Sequence, residues 1–199
     1  MRGEKKYTIN SFVTDIQELA RDDEFLAEDL AVHDSLPSAE EIANVERKLG
    51  CKLPSVLVDL MKTIDISGVQ LEQFQFGMRP FSFPDALVES NIKIDKPEIF
   101  TDRGLLTIGL EMDLASPICI PRERCEAEDG PPLIILDYYS LELIGPIYPD
   151  IVTSLQGQVY LFKSRGEDPQ MRRQGLREII GLTMEGSGKK YWDEYFTTV

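Results

Sequence analysis

The sequence predicts an α+β fold in which helical segments at both ends enclose a meandering antiparallel sheet. Three observations lead there. Apolar residues recur at three- and four-residue spacing, with helix-capping signals, before Gly68 and again after Pro149. Between these segments lie short apolar runs bounded by turn formers, the pattern of successive strands. The 199 residues, 42% hydrophobic and 28% charged, also suffice for one globular domain with its own core.

Residues 11–20 read as the first helix: Phe12, Ile16 and Leu19 share a face, and Ser11 is available as the cap. Residues 22–30 continue or restart it. Residues 38–68 carry the most complete set of local signals. Ser38 can cap a helix while Glu41, three residues on, reaches back to the free amide, the capping-box pattern. Ile42, Val45 and Leu49 follow on one face. Gly50 offers the left-handed residue that closes a helix, and Pro54 opens the next one, where its missing N–H is harmless. Val56 or Leu57, Leu60, Met61 and Ile64 supply the second apolar stripe. Ile42, Val45, Leu49 and Leu53 are therefore expected in the core, with Gly50 a backbone requirement. Glu46 is either a buried acceptor for backbone amides near the next helix start or a solvent-facing acid.

Residues 69–76 alternate weakly, with Phe74 and Phe76 on one face, and read as a strand. Pro80 and Pro84 break the path, residues 84–89 can form one or two helical turns, and Lys96-Pro97 ends any regular element. Residues 105–110, 117–120, 133–138 and 143–148 are the expected strands of the meander. The charged segment 122–132, with Gly130-Pro131-Pro132, cannot be a central strand. After Pro149, Val152, Leu155, Val159 and Phe162 fall at helical spacing despite Gly157. A last helix is expected from Asp168-Pro169, with Met171, Leu176, Ile179, Ile180 and Leu182 inward. The tail holding Tyr191, Trp192, Tyr195 and Phe196 either docks on the core or is presented to a partner; burial of large aromatics favours docking.

Glu40 or Glu41, Ile42, Glu46, Leu49, Gly50, Leu53 and Pro54 together form an acidic helix ending in Leu-Gly, then Leu-Pro and an apolar helix. In these residues the chain resembles the SMI1/KNR4 family of the SUKH superfamily. The resemblance implies an α+β domain with a central antiparallel sheet flanked by helices. Here it would span residues 36–163, with residues 1–35 an acidic helical extension and residues 164–199 a helical, aromatic one. Leu106-Thr107-Ile108-Gly109 stands where relatives carry an apolar strand, and Glu111-Met112-Asp113 where they often carry a Gly-and-Asp turn. The resemblance also implies action by protein binding. Bacterial relatives act as immunity proteins that neutralise toxin domains, many of them nucleases; fungal relatives are regulatory scaffolds linked to cell-wall synthesis and signalling.

The residues offer little catalytic chemistry. His33, the one histidine, sits beside Asp34 in a polar connector, with no serine or cysteine tied to it by a nucleophile motif, and reads as a solvated loop residue. Cys51, Cys119 and Cys125 form no C-x-x-C pair, so neither a disulfide framework nor a zinc site is indicated; Cys119, in an apolar run, reads as a buried small hydrophobe. Asp22-Asp23-Glu24 and Glu126-Ala127-Glu128-Asp129 lack the ligand alternation of a calcium loop, and residues 181–190 do not match a phosphate-binding loop. No cofactor or metal is expected. The class-level alternative is a carboxylate-based or metal-assisted hydrolase.

Net charge is −14, which opposes long-range approach to nucleic acid or an anionic membrane. The first residues are too polar for a secretory signal and no run reaches the roughly 18 apolar residues of a membrane span, so the cytosol is the expected location. Between Asp15 and Glu46 eleven acids are relieved only by Arg21. Asp22, Asp23, Glu24, Glu28 and Asp29, with Glu126, Glu128 and Asp129, are the expected acidic rim that steers a protein partner, such as a basic toxin domain; solubility alone is the other reading. The oligomeric state is left open.

Overall fold

The computed structural model describes residues 6–30, 36–77, 81–93, 96–127, 130–184, 186 and 188–198. It is an α+β fold: a six-stranded antiparallel sheet, in the order of the sequence, flanked by helices. Helix α1 (Ile9–Asp22) starts earlier than expected. Thr8, not Ser11, is its cap, accepting from the Ser11 amide at 3.2 Å, because Thr8 is still extended while Ser11 is already helical. The chain bends at Asp23 and restarts as α2 (Glu24–Leu30).

Helices α3 (Ala39–Leu49) and α4 (Ser55–Met61) form the expected corner. The Ser38 and Glu41 groups close the capping box, and Gly50 is left-handed at φ 69°, a backbone conformation that residues with a side chain adopt only with strain. Ile42, Val45, Leu49, Leu53, Leu57 and Leu60 are all buried.

The segment expected as one strand is a hairpin, β1 (Gln70–Leu71) and β2 (Phe74–Phe76), turning at Glu72 with φ 52°. Glu72 is held there because Arg165 donates to its carboxylate and Gln70 to its carbonyl. Next comes α5 (Phe83–Val88), which runs into a π-helical turn at Glu89–Lys93. Asn91 explains that turn: its side chain donates to Leu87 O and Thr107 O and accepts from the Thr107 amide, each at 2.8 Å. A short helix absent from the sequence reading, α6 (Glu98–Thr101), begins directly after Pro97.

Strands β3 (Leu105–Glu111), β4 (Ser116–Pro121), β5 (Leu133–Leu136) and β6 (Leu143–Tyr148) complete the meander. β5 stops two residues short of the expectation. Asp137 ends it, accepting from the Tyr139 and Ser140 amides and so turning the chain.

Helix α7 (Ile151–Lys163) is capped by Asp150 and α8 (Pro169–Ile180) by Asp168. On α8 the inward face is set by Arg172, Leu176 and Ile180, and Met171 is 59% exposed rather than buried. Arg172 takes the inner place because Leu161 O, Ser164 Oγ and Tyr195 Oη surround its guanidinium. The Leu182 side chain lies outside the described set.

The aromatic tail is a further helix, α9 (Lys189–Thr198), and it docks on the core. Trp192 is fully buried, meets Tyr148, Tyr191 and Tyr195 edge-on, and donates from Nε1 to Ile147 O at 3.1 Å.

One continuous core holds residues of α1, the α3–α4 pair, one sheet face, α7, α8 and α9, so both terminal segments share it. Leu105, Cys119 and Leu136 point to the other sheet face and pack with Phe100 of α6. Alternation along β3 and β4 produces this split.

Candidate protein-interaction surface

The acidic surface begins at the bend between α1 and α2. Asp23 makes that bend: its amide still donates to Leu19 O, while its Oδ1 accepts from the Leu26 amide at 3.0 Å. This carboxylate therefore has a structural task as the cap of α2. Leu26 is buried and Ala27 and Leu30 are half-buried, which fixes the inner face of the helix. Glu24 and Glu28 are thereby turned to solvent, with Asp29 half-buried beside them, and Asp22 at the end of α1 is also exposed. Phe25 shares that outer face and is 82% exposed.

Of the expected rim, Glu126 stands apart from α2. Glu126 is exposed, but the adjoining Ala127 and Gly130 line a cavity with Tyr7, Val56 and Thr153, next to the start of α1. Helix α2 follows the opposite end of α1, 14 residues away, about 21 Å along the axis. Glu128 and Asp129 lie outside the described residues, as do His33 and Asp34.

The corner residues behave as one structural unit. Glu46 Oε1 accepts from the Leu53 amide at 3.1 Å and Oε2 pairs with Lys52 at 2.6 Å. Burial alone would raise the Glu46 pKa, but Lys52 and the Leu53 amide outweigh it and hold the carboxyl below its usual range. Of the two sequence readings, the hydrogen-bonding one applies. Leu49, Gly50, Leu53 and Pro54 complete the corner as core, helix stop, core and helix start.

A second acidic feature was not read from the sequence. Gln73, Glu111, Asp113, Leu114, Tyr191, Glu194 and Tyr195 line a cleft of about 600 Å³ between the β3–β4 turn and α9. Glu111 is buried, and desolvation pushes its carboxyl up despite hydrogen bonds from the Leu114 amide at 2.6 Å and from Tyr191. Its first task is to close the turn that leads into β4. The described residues lining the cleft include no histidine, lysine, serine or cysteine; its titratable groups are three carboxylates and two tyrosines, with Tyr191 donating to Glu111.

Cys119 is buried, and burial pushes its thiol up to about 12, partly offset by Thr107. Among the described residues no group of three or more His, Cys, Asp or Glu side chains converges to hold a metal ion. No described helix is long and apolar enough to cross a membrane.

Phe25 was missed because an aromatic in Asp-Asp-Glu-Phe-Leu-Ala-Glu-Asp-Leu looks like part of the apolar stripe. The usable signal was that Leu26, Ala27 and Leu30 already fill the inner face, leaving Phe25 on the outer one. Glu111 lacked a signal, since the approach of Tyr191 spans 80 positions of sequence.

No family model, curated protein or solved structure matches this chain significantly.

Proposed function

We propose that the chain is a non-enzymatic protein-binding domain of the SMI1/KNR4 (SUKH) type, acting as an immunity protein that binds and neutralises a basic toxin domain such as a nuclease. The observation that carries the reading is α2: a short helix whose inner face is used by the core and whose outer face is given to exposed carboxylates. The corner formed by Ser38, Glu46, Gly50, Leu53 and Pro54 supports the family assignment.

A nuclease holds phosphates in a basic cleft, so a carboxylate-bearing partner approaches it down an electrostatic gradient and occludes the cleft on arrival. Charge sets the encounter rate; affinity requires desolvated apolar contact at the centre. The hydrolase alternative would draw on a carboxylate cleft such as that at Glu111, whose described lining combines carboxylates and tyrosines with Gln73 and Leu114.

Co-expression with a panel of toxic nuclease domains, including any that its gene neighbourhood encodes, tests the proposal. Growth should be restored by the wild-type chain, and a stable complex should be recovered by size exclusion. A chain that restores growth without forming a complex, or does neither, would sink it.

A further inference from the structure

We infer that Phe25 is the apolar anchor of a docking face on α2 and that its occupant is a cationic protein surface presenting an apolar patch bordered by Lys or Arg. This deepens the proposed function and rests on it for the identity of the natural partner, but not for the chemistry of the face.

Geometry gives the first part of the argument. Along α2, Leu26, Ala27 and Leu30 set the inward direction, and at 100° per residue Phe25 and Glu28 lie nearly opposite it. Glu28 and Asp29 stand three and four residues beyond Phe25, so they flank its ring, while Glu24 adjoins it and Asp22 precedes the bend. The ring is 82% exposed although Phe12, Phe74, Phe76, Phe83 and Phe100 are all fully or almost fully buried in the same chain. Leu26 and Leu30 attach α2 to the core, and among the described residues Phe25 is not part of it.

Charge decides the occupant. An exposed phenylalanine offers a large apolar area on two rotatable bonds, the type of side chain that serves as a central contact. Its surroundings include the exposed carboxylates of Glu24 and Glu28, which a neutral apolar partner would desolvate and a cationic border would pair with. A second copy of the chain, itself at −14, would bring like charge to the face.

The test titrates the ¹⁵N-labelled chain with a 14-residue amphipathic Lys/Leu helical peptide and, separately, with an oligolysine peptide of equal charge. The Lys/Leu peptide is expected to shift the amides of residues 22–30 and to bind Phe25→Ala about tenfold more weakly than wild type. Oligolysine should bind more weakly and show no difference between the two. Because the ring is exposed, Phe25→Ala should keep the wild-type thermal midpoint, so lost binding is not lost folding.

Equal affinity of wild type and Phe25→Ala for the Lys/Leu peptide, or shifts confined to other segments, would overturn the inference. So would concentration-dependent self-association, in sedimentation at low salt, that Phe25→Ala abolishes, since the occupant would then be another copy. If the peptide behaves as expected while the toxin domain fails to bind, the immunity reading fails and the docking face stands.

Discussion

Glu46 and Glu111 are both carboxylates withdrawn from water, and their neighbours move them in opposite directions. Lys52 and the Leu53 amide overcome burial at Glu46; at Glu111 desolvation dominates and Tyr191 and the Leu114 amide only moderate it. A lowered folded-state pKa contributes stability that is present above the unfolded value and lost as pH falls through the folded one. Wild type should therefore exceed Glu46→Gln by about 1–3 kcal/mol near neutrality, as for a hydrogen bond to a charged group, and the gap should shrink below about pH 4.5. A raised pKa works the other way: its contribution is complete below the unfolded value and fades as pH rises through the folded one. Glu111→Gln should gain on wild type as pH rises above about 4.5. Urea denaturation at several pH values checks both, and parallel pH dependence in the two variants would contradict the assignments. At this scale the sequence disclosed the Glu46 alternatives because Leu53 is near in the chain. It placed Glu111 at a turn but disclosed nothing of its burial, since that environment is assembled from β3 and α9.

At the scale of elements, α9 and α7 make the account falsifiable without any partner. Trp192 is fully buried among Tyr148, Tyr191 and Tyr195, so Trp192→Ala should cost about 3–5 kcal/mol of stability. Gly157 in the middle of α7 would ordinarily be improved by alanine, by up to about 1 kcal/mol. Here an added Cβ would stand 2.6 Å from the Tyr148 ring, so Gly157→Ala should instead destabilise by about 1–3 kcal/mol in the same assay. That contact is why a glycine interrupts an otherwise regular helical pattern. Elements written by local rules were legible: the capping box at Ser38, the stop at Gly50, the starts at Asp150 and Asp168, the strands of the meander. Elements made by distant groups were not. The turn at Glu72 depends on Arg165, the π-helical turn on Thr107, and the inward face of α8 on the surroundings of Arg172. The bend at Asp23 was half legible, since the sequence allowed α2 to continue or restart and the Leu26 amide decided for restart.

For the whole molecule, the uneven charge is the property that sequence and structure share most directly. The sequence located the acidic pole in the N-terminal quarter; among the described residues the structure sets the α2 carboxylates on one outer face and Glu126 toward the other end of α1. The surface reading could not be completed from sequence because facing depends on which side of α2 the core takes. The central claim, that this face recognises a basic protein, is tested most directly by the association rate constant for the chain and the toxin domain it neutralises across a salt series. The account predicts fast association that slows steeply with salt, and a drop of tenfold or more at low salt when Asp22, Glu24 and Glu28 are changed to Lys. An association rate indifferent to both salt and the charge reversals would contradict it.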